Sequence, residues 1–169
     1  MKIIIRLERW LDKISIVELH GELSATVLKK DGRIKNLGIV ARRKVTTEFV
    51  NFLVDQLQVE TAAIGDFKYH LSGTGTTAES NTDVLLVTPI GTTRTIGSQE
   101  EAANNIYKSV ATISYTATHA VTEHGIFNEQ YAAAQDDGIL LDRSVFSAIN
   151  VVNGDAIQFT YELTVNAET

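Results

Sequence analysis

Apolar positions change their period along the chain, and each change predicts an element. Over residues 1–14, Ile3, Ile4, Leu7, Trp10, Leu11 and Ile14 recur at helical spacing, while Lys2, Arg6, Glu8, Arg9, Asp12 and Lys13 fill the other side. This predicts a short N-terminal amphipathic helix or arm. A helix of that length is marginal alone, so its apolar stripe must pack on another surface. Its polar side is only weakly basic, which disfavours a membrane-surface role.

From residue 15 the period becomes two. Val17, Leu19, Leu23, Ala25 and Val27 alternate with Glu18, His20, Glu22, Ser24 and Thr26. Gly21 interrupts the apolar row, where a bulge is expected. Asp31-Gly32 predicts a hairpin turn, with residues 33–41 as the returning strand. After the basic run Arg42-Arg43-Lys44, residues 47–58 predict a helix. Thr46 or Thr47 would cap it, Glu48 sits in its first turn, and Phe49, Val50, Leu53 and Leu57 mark one face.

Beyond residue 67 the pattern is β-rich, with predicted strands over 67–72, 84–88, 106–118, 121–127, 139–147 and 155–165. The last is the clearest: Ile157, Phe159, Tyr161, Leu163 and Val165 alternate with polar residues. Turn-rich stretches are expected at 73–82, 91–105, 129–138 and 150–155. The fold class expected is mainly β: an antiparallel β-sandwich, jelly-roll-like, with one packed helix. Residues 15–169 would form one domain behind the 1–14 arm.

Composition narrows the function classes. The 169 residues suffice for one domain with a real core. A net charge of −6 disfavours nucleic acid as a partner. No cysteine occurs, which excludes disulfides and thiolate metal sites. No apolar run approaches the roughly 20 residues of a membrane span. The charge is uneven: residues 1–48 carry a net +5 and the rest a net −11. Such asymmetry steers docking between chains or onto an acidic surface. It makes Ile3, Leu7, Trp10, Leu11, Arg42, Arg43 and Lys44 candidate interface residues.

Candidate chemistry is sparse. Gly73-Thr74-Gly75-Thr76-Thr77 lacks the Gly-Lys-Ser/Thr ending of a phosphate loop and reads as a tight turn. His119 and His124 have odd spacing, which places them on opposite faces of a regular strand, and no metal-ligand pattern surrounds them. Glu123 next to His124 permits a local hydrogen bond and a modest pH response. Asp136-Asp137-Gly138 lacks calcium-loop spacing, and the adjacent Glu100-Glu101 do not face a common bond. No catalytic, cofactor-binding or metal-binding residue is nominated, and an enzyme is not expected.

Three C-terminal segments carry a resemblance. Thr122-Glu123-His124-Gly125-Ile126-Phe127-Asn128 is the first. The second is Leu140-Leu141-Asp142-Arg143-Ser144-Val145-Phe146-Ser147-Ala148-Ile149-Asn150. The third is Asn153-Gly154-Asp155 followed by Phe159–Val165. Together they resemble a group of tailed-bacteriophage virion proteins of the head decoration, head fibre and tail fibre type. Leu71-Ser72-Gly73-Thr74-Gly75-Thr76-Thr77 is similar to a glycine-threonine stretch of that group. Tyr161 stands where the group commonly has Trp, and Asp142 replaces a usually small residue.

Glu123, Gly125, Phe127, Arg143, Phe146, Asn150 and Asp155 are the motif residues. Gly125 is expected to permit a bend or a close backbone approach. Ile126 and Phe127 read as a compact apolar pair. Arg143 within an apolar strand needs a carboxylate, with Glu123 the first candidate and Asp142 or Asp155 the others.

The resemblance implies a virion structural part, made in the host cytoplasm and carried on the particle surface. The leading expectation is a capsid decoration, or cement, protein. It would self-associate as a homotrimer and bind the major capsid protein or another virion protein, without nucleic acid, membrane or cofactor. The alternative is a tail or fibre module for host-surface attachment, with Tyr107, Tyr115 and Tyr131 as exposed sugar-stacking aromatics.

Overall fold

The computed structural model describes residues 18–43, 45–57, 66–130 and 138–166. The predicted 1–14 helix, with Ile3, Leu7, Trp10 and Leu11, lies outside these residues, as do Lys44, Tyr131, Asp136 and Asp137.

The described residues form an antiparallel β-sandwich with one helix. In order, the elements are β1 (Glu18–Leu28), β2 (Ile34–Arg43), α1 (Thr47–Leu57), β3 (Tyr69–Gly73), β4 (Thr95–Ile96), β5 (Ser98–Ala103), β6 (Ile106–Ser114), β7 (His119–Phe127), β8 (Leu140–Val151) and β9 (Ala156–Asn166). The first sheet has the order β2-β1-β9-β6-β5 and the second β4-β3-β7-β8. The hairpins β1–β2, β5–β6 and β7–β8 each stay within one sheet.

The clearest sequence pattern lies at the centre of the first sheet. β9 pairs with both β1 and β6, and Ile157, Phe159, Tyr161 and Leu163 point into the core. Leu23, Ala25 and Val27 of β1 join them, as the period of two requires. The Asp31-Gly32 turn closes the first hairpin with Gly32 at φ 85°, a conformation that favours glycine.

Thr46 caps α1, its hydroxyl accepting from the Phe49 amide at 3.2 Å. The helix start is tied to the second sheet, since the Thr46 amide donates to the Leu141 carbonyl at 3.0 Å. Phe49, Phe52 and Phe67 form an aromatic cluster with edge-on contacts of 5.1 and 5.3 Å. Val50, expected on the packed face, points to solvent.

The second sheet is covered on both faces over its central part, most of β3, Val121–Phe127 of β7 and Leu140–Ser144 of β8. Its inner face meets the first sheet. Its outer face is covered by segment 74–94, which places Leu86 against Leu71, Phe127 and Leu140 in a second small core. The Arg94 guanidinium stacks over the Phe127 ring at 3.7 Å from the centroid.

Three expectations change. Residues 84–88 are not a strand: Leu86 is buried while Val84 and Val87 face out, and the Val87 and Thr88 amides donate to the Glu123 carboxylate. Residues 91–105 are not simply turns, because β4 and β5 lie there. The polar β5 is a sheet edge and carries no alternation to reveal it. Gly21 is not at a bulge. The register shifts of this hairpin fall at Leu23/Ser24 and Ala25/Thr26, and Gly21 instead makes room for two side chains described below.

Candidate functional site

Two buried polar centres lie on opposite faces of the second sheet. Cross-strand register builds both. On the outer face, Gly73 of β3, Glu123 of β7 and Val145 of β8 stand in one row, and Leu71, Gly125 and Arg143 in the next. On the inner face the rows are Ser72, His124 and Ser144, then His70, Ile126 and Asp142.

The outer centre is charged. Arg143 Nε donates to Glu123 Oε2 at 2.9 Å, and both side chains are almost wholly buried. The Glu123 carboxylate accepts three further bonds: Oε1 from the Gly75 amide at 3.0 Å and the Thr88 amide at 2.7 Å, Oε2 from the Val87 amide at 3.1 Å. Arg143 in turn donates through Nη1 to Asp83 Oδ2 and through Nη2 to the Thr77 carbonyl, both at 3.0 Å. The Thr122 hydroxyl donates to the Gly75 carbonyl at 2.9 Å. Each buried charge is thus met by several partners, the condition for tolerating it.

The glycines of the 73–77 stretch have a physical reason here. A Cβ on Gly75 would lie 2.5 Å from Glu123 Oε1, so only glycine lets the backbone approach the carboxylate. Gly125 serves the same end for apolar packing, where a Cβ would lie 2.9 Å from Leu86 Cδ2. The centre therefore clamps segment 74–94 onto the sheet.

The inner centre is built around two imidazoles. His124 Nε2 and His70 Nδ1 are 2.9 Å apart, and His70 Nε2 lies 2.8 Å from Ser109 Oγ on β6 of the first sheet. The His124 ring packs on Phe159 at 4.5 Å between centroids. Burial pushes His70 down to about 3. Burial, with the neighbouring His70, holds His124 well below the usual imidazole range. The Tyr115 hydroxyl donates to Ser72 Oγ at 3.0 Å, and burial pushes the phenol up to about 12. Beside them, Ser144 Oγ donates to Asp142 Oδ1 at 2.8 Å. A Cβ at Gly21 would lie 2.6 Å from Asp142 Oδ2 and 2.7 Å from the Tyr161 hydroxyl.

Three of the seven motif residues, Glu123, Gly125 and Arg143, belong to the outer centre. Glu123 and Arg143 are partners, as expected. Asp155 instead accepts from Lys29 Nζ at 2.6 Å, the Lys30 amide at 2.9 Å and the Val152 amide at 3.0 Å, fixing the β8–β9 turn. The Lys29 bond, followed by the amides, brings its carboxyl down to about 2. The Asn150 carbonyl accepts from Lys29 Nζ at 3.2 Å. Phe146 packs toward Phe159 in the main core. Ile126 and Phe127 are not a pair: they point to opposite faces, Ile126 into the main core and Phe127 into the small one. His124 bonds to His70 rather than to its neighbour Glu123. The regular alternation assumed for His119 and His124 is interrupted by the register shift between Val121 and Glu123.

The interface candidates fare differently. Arg42 is exposed and bonds Glu22 across the β1–β2 pair at 2.9 Å. Arg43 ends β2, and its side chain lies outside the described residues. The edge strand β2 also exposes Ile39 and, at its far end from Arg42, Ile34 and Lys35. A groove of about 480 Å³ runs between β2 and β8, with Leu37, Ile39 and Ile149 among its apolar walls and Lys29 and Lys35 among its polar ones. Of the proposed sugar-stacking residues, Tyr115 is buried and Tyr107 is half-buried with its hydroxyl donating to the Phe67 carbonyl.

Sequence reasoning missed His70, Ser109 and the role of segment 74–94. One signal was present: Leu140–Val145 shows no alternation, as expected of a strand covered on both faces. Neither a family model, a curated protein nor a solved structure matches this chain.

Proposed function

We propose that this chain is a structural part of a tailed-phage virion, a capsid decoration protein that self-associates as a homotrimer and reinforces the outer head surface. One observation carries the reading: the likeness of residues 122–165 to virion proteins of that group. The geometry supports it to the extent that the most distinctive motif residues, Glu123 and Arg143, are spent on holding a surface segment rigid. A rigid, pre-shaped surface suits adhesion, because little entropy remains to be lost on binding.

The docking side is the basic β1–β2 hairpin, where Ile34 stands exposed beside Lys30 and Lys35 near the turn and Ile39 lies farther along the strand. Apolar contact provides affinity, and the surrounding cations steer approach to an acidic shell. Many copies on one lattice add avidity. The tail-module alternative loses support, since Tyr107 and Tyr115 are not free platforms.

The test combines the purified chain with empty heads of the phage that encodes it. Binding at hundreds of copies per particle, weakening as salt rises and with Lys35→Glu, is the expected result. A few to a dozen copies, confined to the tail, would replace this reading with the attachment module. Absence from purified particles would end both.

A further inference from the structure

We propose that the Ser109–His70–His124 chain is an acid-release latch between the two sheets, closed while both imidazoles are neutral and loosened by proton uptake. This does not depend on the virion reading. The three side chains are buried and form one continuous hydrogen-bonded line from β6 of the first sheet to β3 and β7 of the second.

The line has two self-consistent neutral forms. In one, His70 Nδ1–H donates to His124 Nε2 and the Ser109 hydroxyl donates to His70 Nε2. In the other, His124 Nε2–H donates to His70 Nδ1 and His70 Nε2–H donates to Ser109 Oγ. A first proton leaves a hydrogen-bonded but charged pair in an apolar setting. A second sets N–H against N–H across 2.9 Å, and the contact between the rings must break.

Polar groups around the line have partners of their own away from the two rings. The first sheet presents Ser109 on β6 and the Phe159 ring on β9, with Tyr161 farther along β9. Gly97, between β4 and β5, backs the line: a Cβ there would lie 3.0 Å from His70 Nε2. From the second sheet come Ser72, held by Tyr115, and Ser144, held to Asp142. Glu123 points to the opposite face and is engaged by Arg143. His124 is held down first by burial and then by the neighbouring His70, and both oppose its protonation.

The sign follows. Both imidazoles are depressed when folded, so the unfolded chain binds more protons once the pH falls below about 6.5, and stability declines from there as acid is added. Opened β3 would also release segment 74–94, which follows it directly in the chain.

The test is urea unfolding of the full chain between pH 7.5 and 4.5. The folded-to-unfolded ratio of the parent should fall by up to about 100-fold per pH unit below 6.5, a factor of about ten from each ring. His70→Gln and His124→Gln should start less stable at pH 7.5 and lose about tenfold less per unit. Equal slopes in parent and variants would overturn the latch. Should the variants not fold, imidazole ¹H–¹⁵N spectra of the parent decide: two rings neutral from pH 7.5 to 5 support it, and rings titrating near 6.5 overturn it.

Discussion

The two polar centres of the second sheet sit back to back on the same strands, yet they solve burial in opposite ways. On the outer face, Glu123 and Arg143 keep full charges and surround them with amides, a carbonyl and Asp83. On the inner face, His70 and His124 give up charge and share hydrogen bonds as neutral rings. The difference follows from what covers each face. Segment 74–94 has free backbone donors to offer a carboxylate, whereas the first sheet has spent its own on strand pairing and offers one hydroxyl. An irregular segment is thus suited to surround a carboxylate with backbone amides.

Breaking the charged centre should have the largest effect. Arg143→Met leaves the Glu123 carboxylate buried without its cation and should cost about 3–5 kcal/mol in urea unfolding. The double variant Glu123→Met/Arg143→Met should recover only part of this. The Gly75, Val87 and Thr88 amides lose their acceptor in it, so an apolar swap is not neutral here. Full recovery would mean that the carboxylate does not hold the segment.

A smaller change sharpens the same point. Gly75→Ala forces a methyl group against Glu123 Oε1 and should cost about 1–3 kcal/mol, while the reach of Arg143 to Asp83 is left in place. No loss would show that the backbone approaches the carboxylate less closely than described.

These centres also mark how far the sequence could be read. The period of two in β1 and β9 announced the sandwich, because each of these strands has one wetter face and one dry face. The Glu123–Arg143 partnership was legible as well, since an arginine among apolar strand residues demands a carboxylate. What stayed hidden needed register. His70 and His124 are 54 residues apart, and only the pairing of Ser72 with His124 brings His70 beside it. Segment 74–94 was misread at 84–88 because its apolar residues suggested a strand, while its amides were reserved for a side chain. The edge strand β5, four polar residues followed by two alanines, left no alternation to read.

The smallest effect separates the centres by acidity. Asp155, held down to about 2 chiefly by Lys29, contributes stability that is present above about pH 4 and lost as the pH falls toward 2. Asp155→Asn should therefore flatten the unfolding profile only below pH 4, leaving the decline that begins near 6.5 untouched. A change in the upper window would mean that the turn, and not the imidazole pair, governs the response to mild acid.

Amide hydrogen exchange on the intact chain tests the central claim most directly, namely that one carboxylate pins segment 74–94 to the second sheet. The Gly75, Val87 and Thr88 amides should be protected to nearly the degree of core β7 amides such as Ile126, and should lose protection together in Arg143→Met. Exchange of these three amides in the parent chain at the rate of unstructured peptide would contradict it.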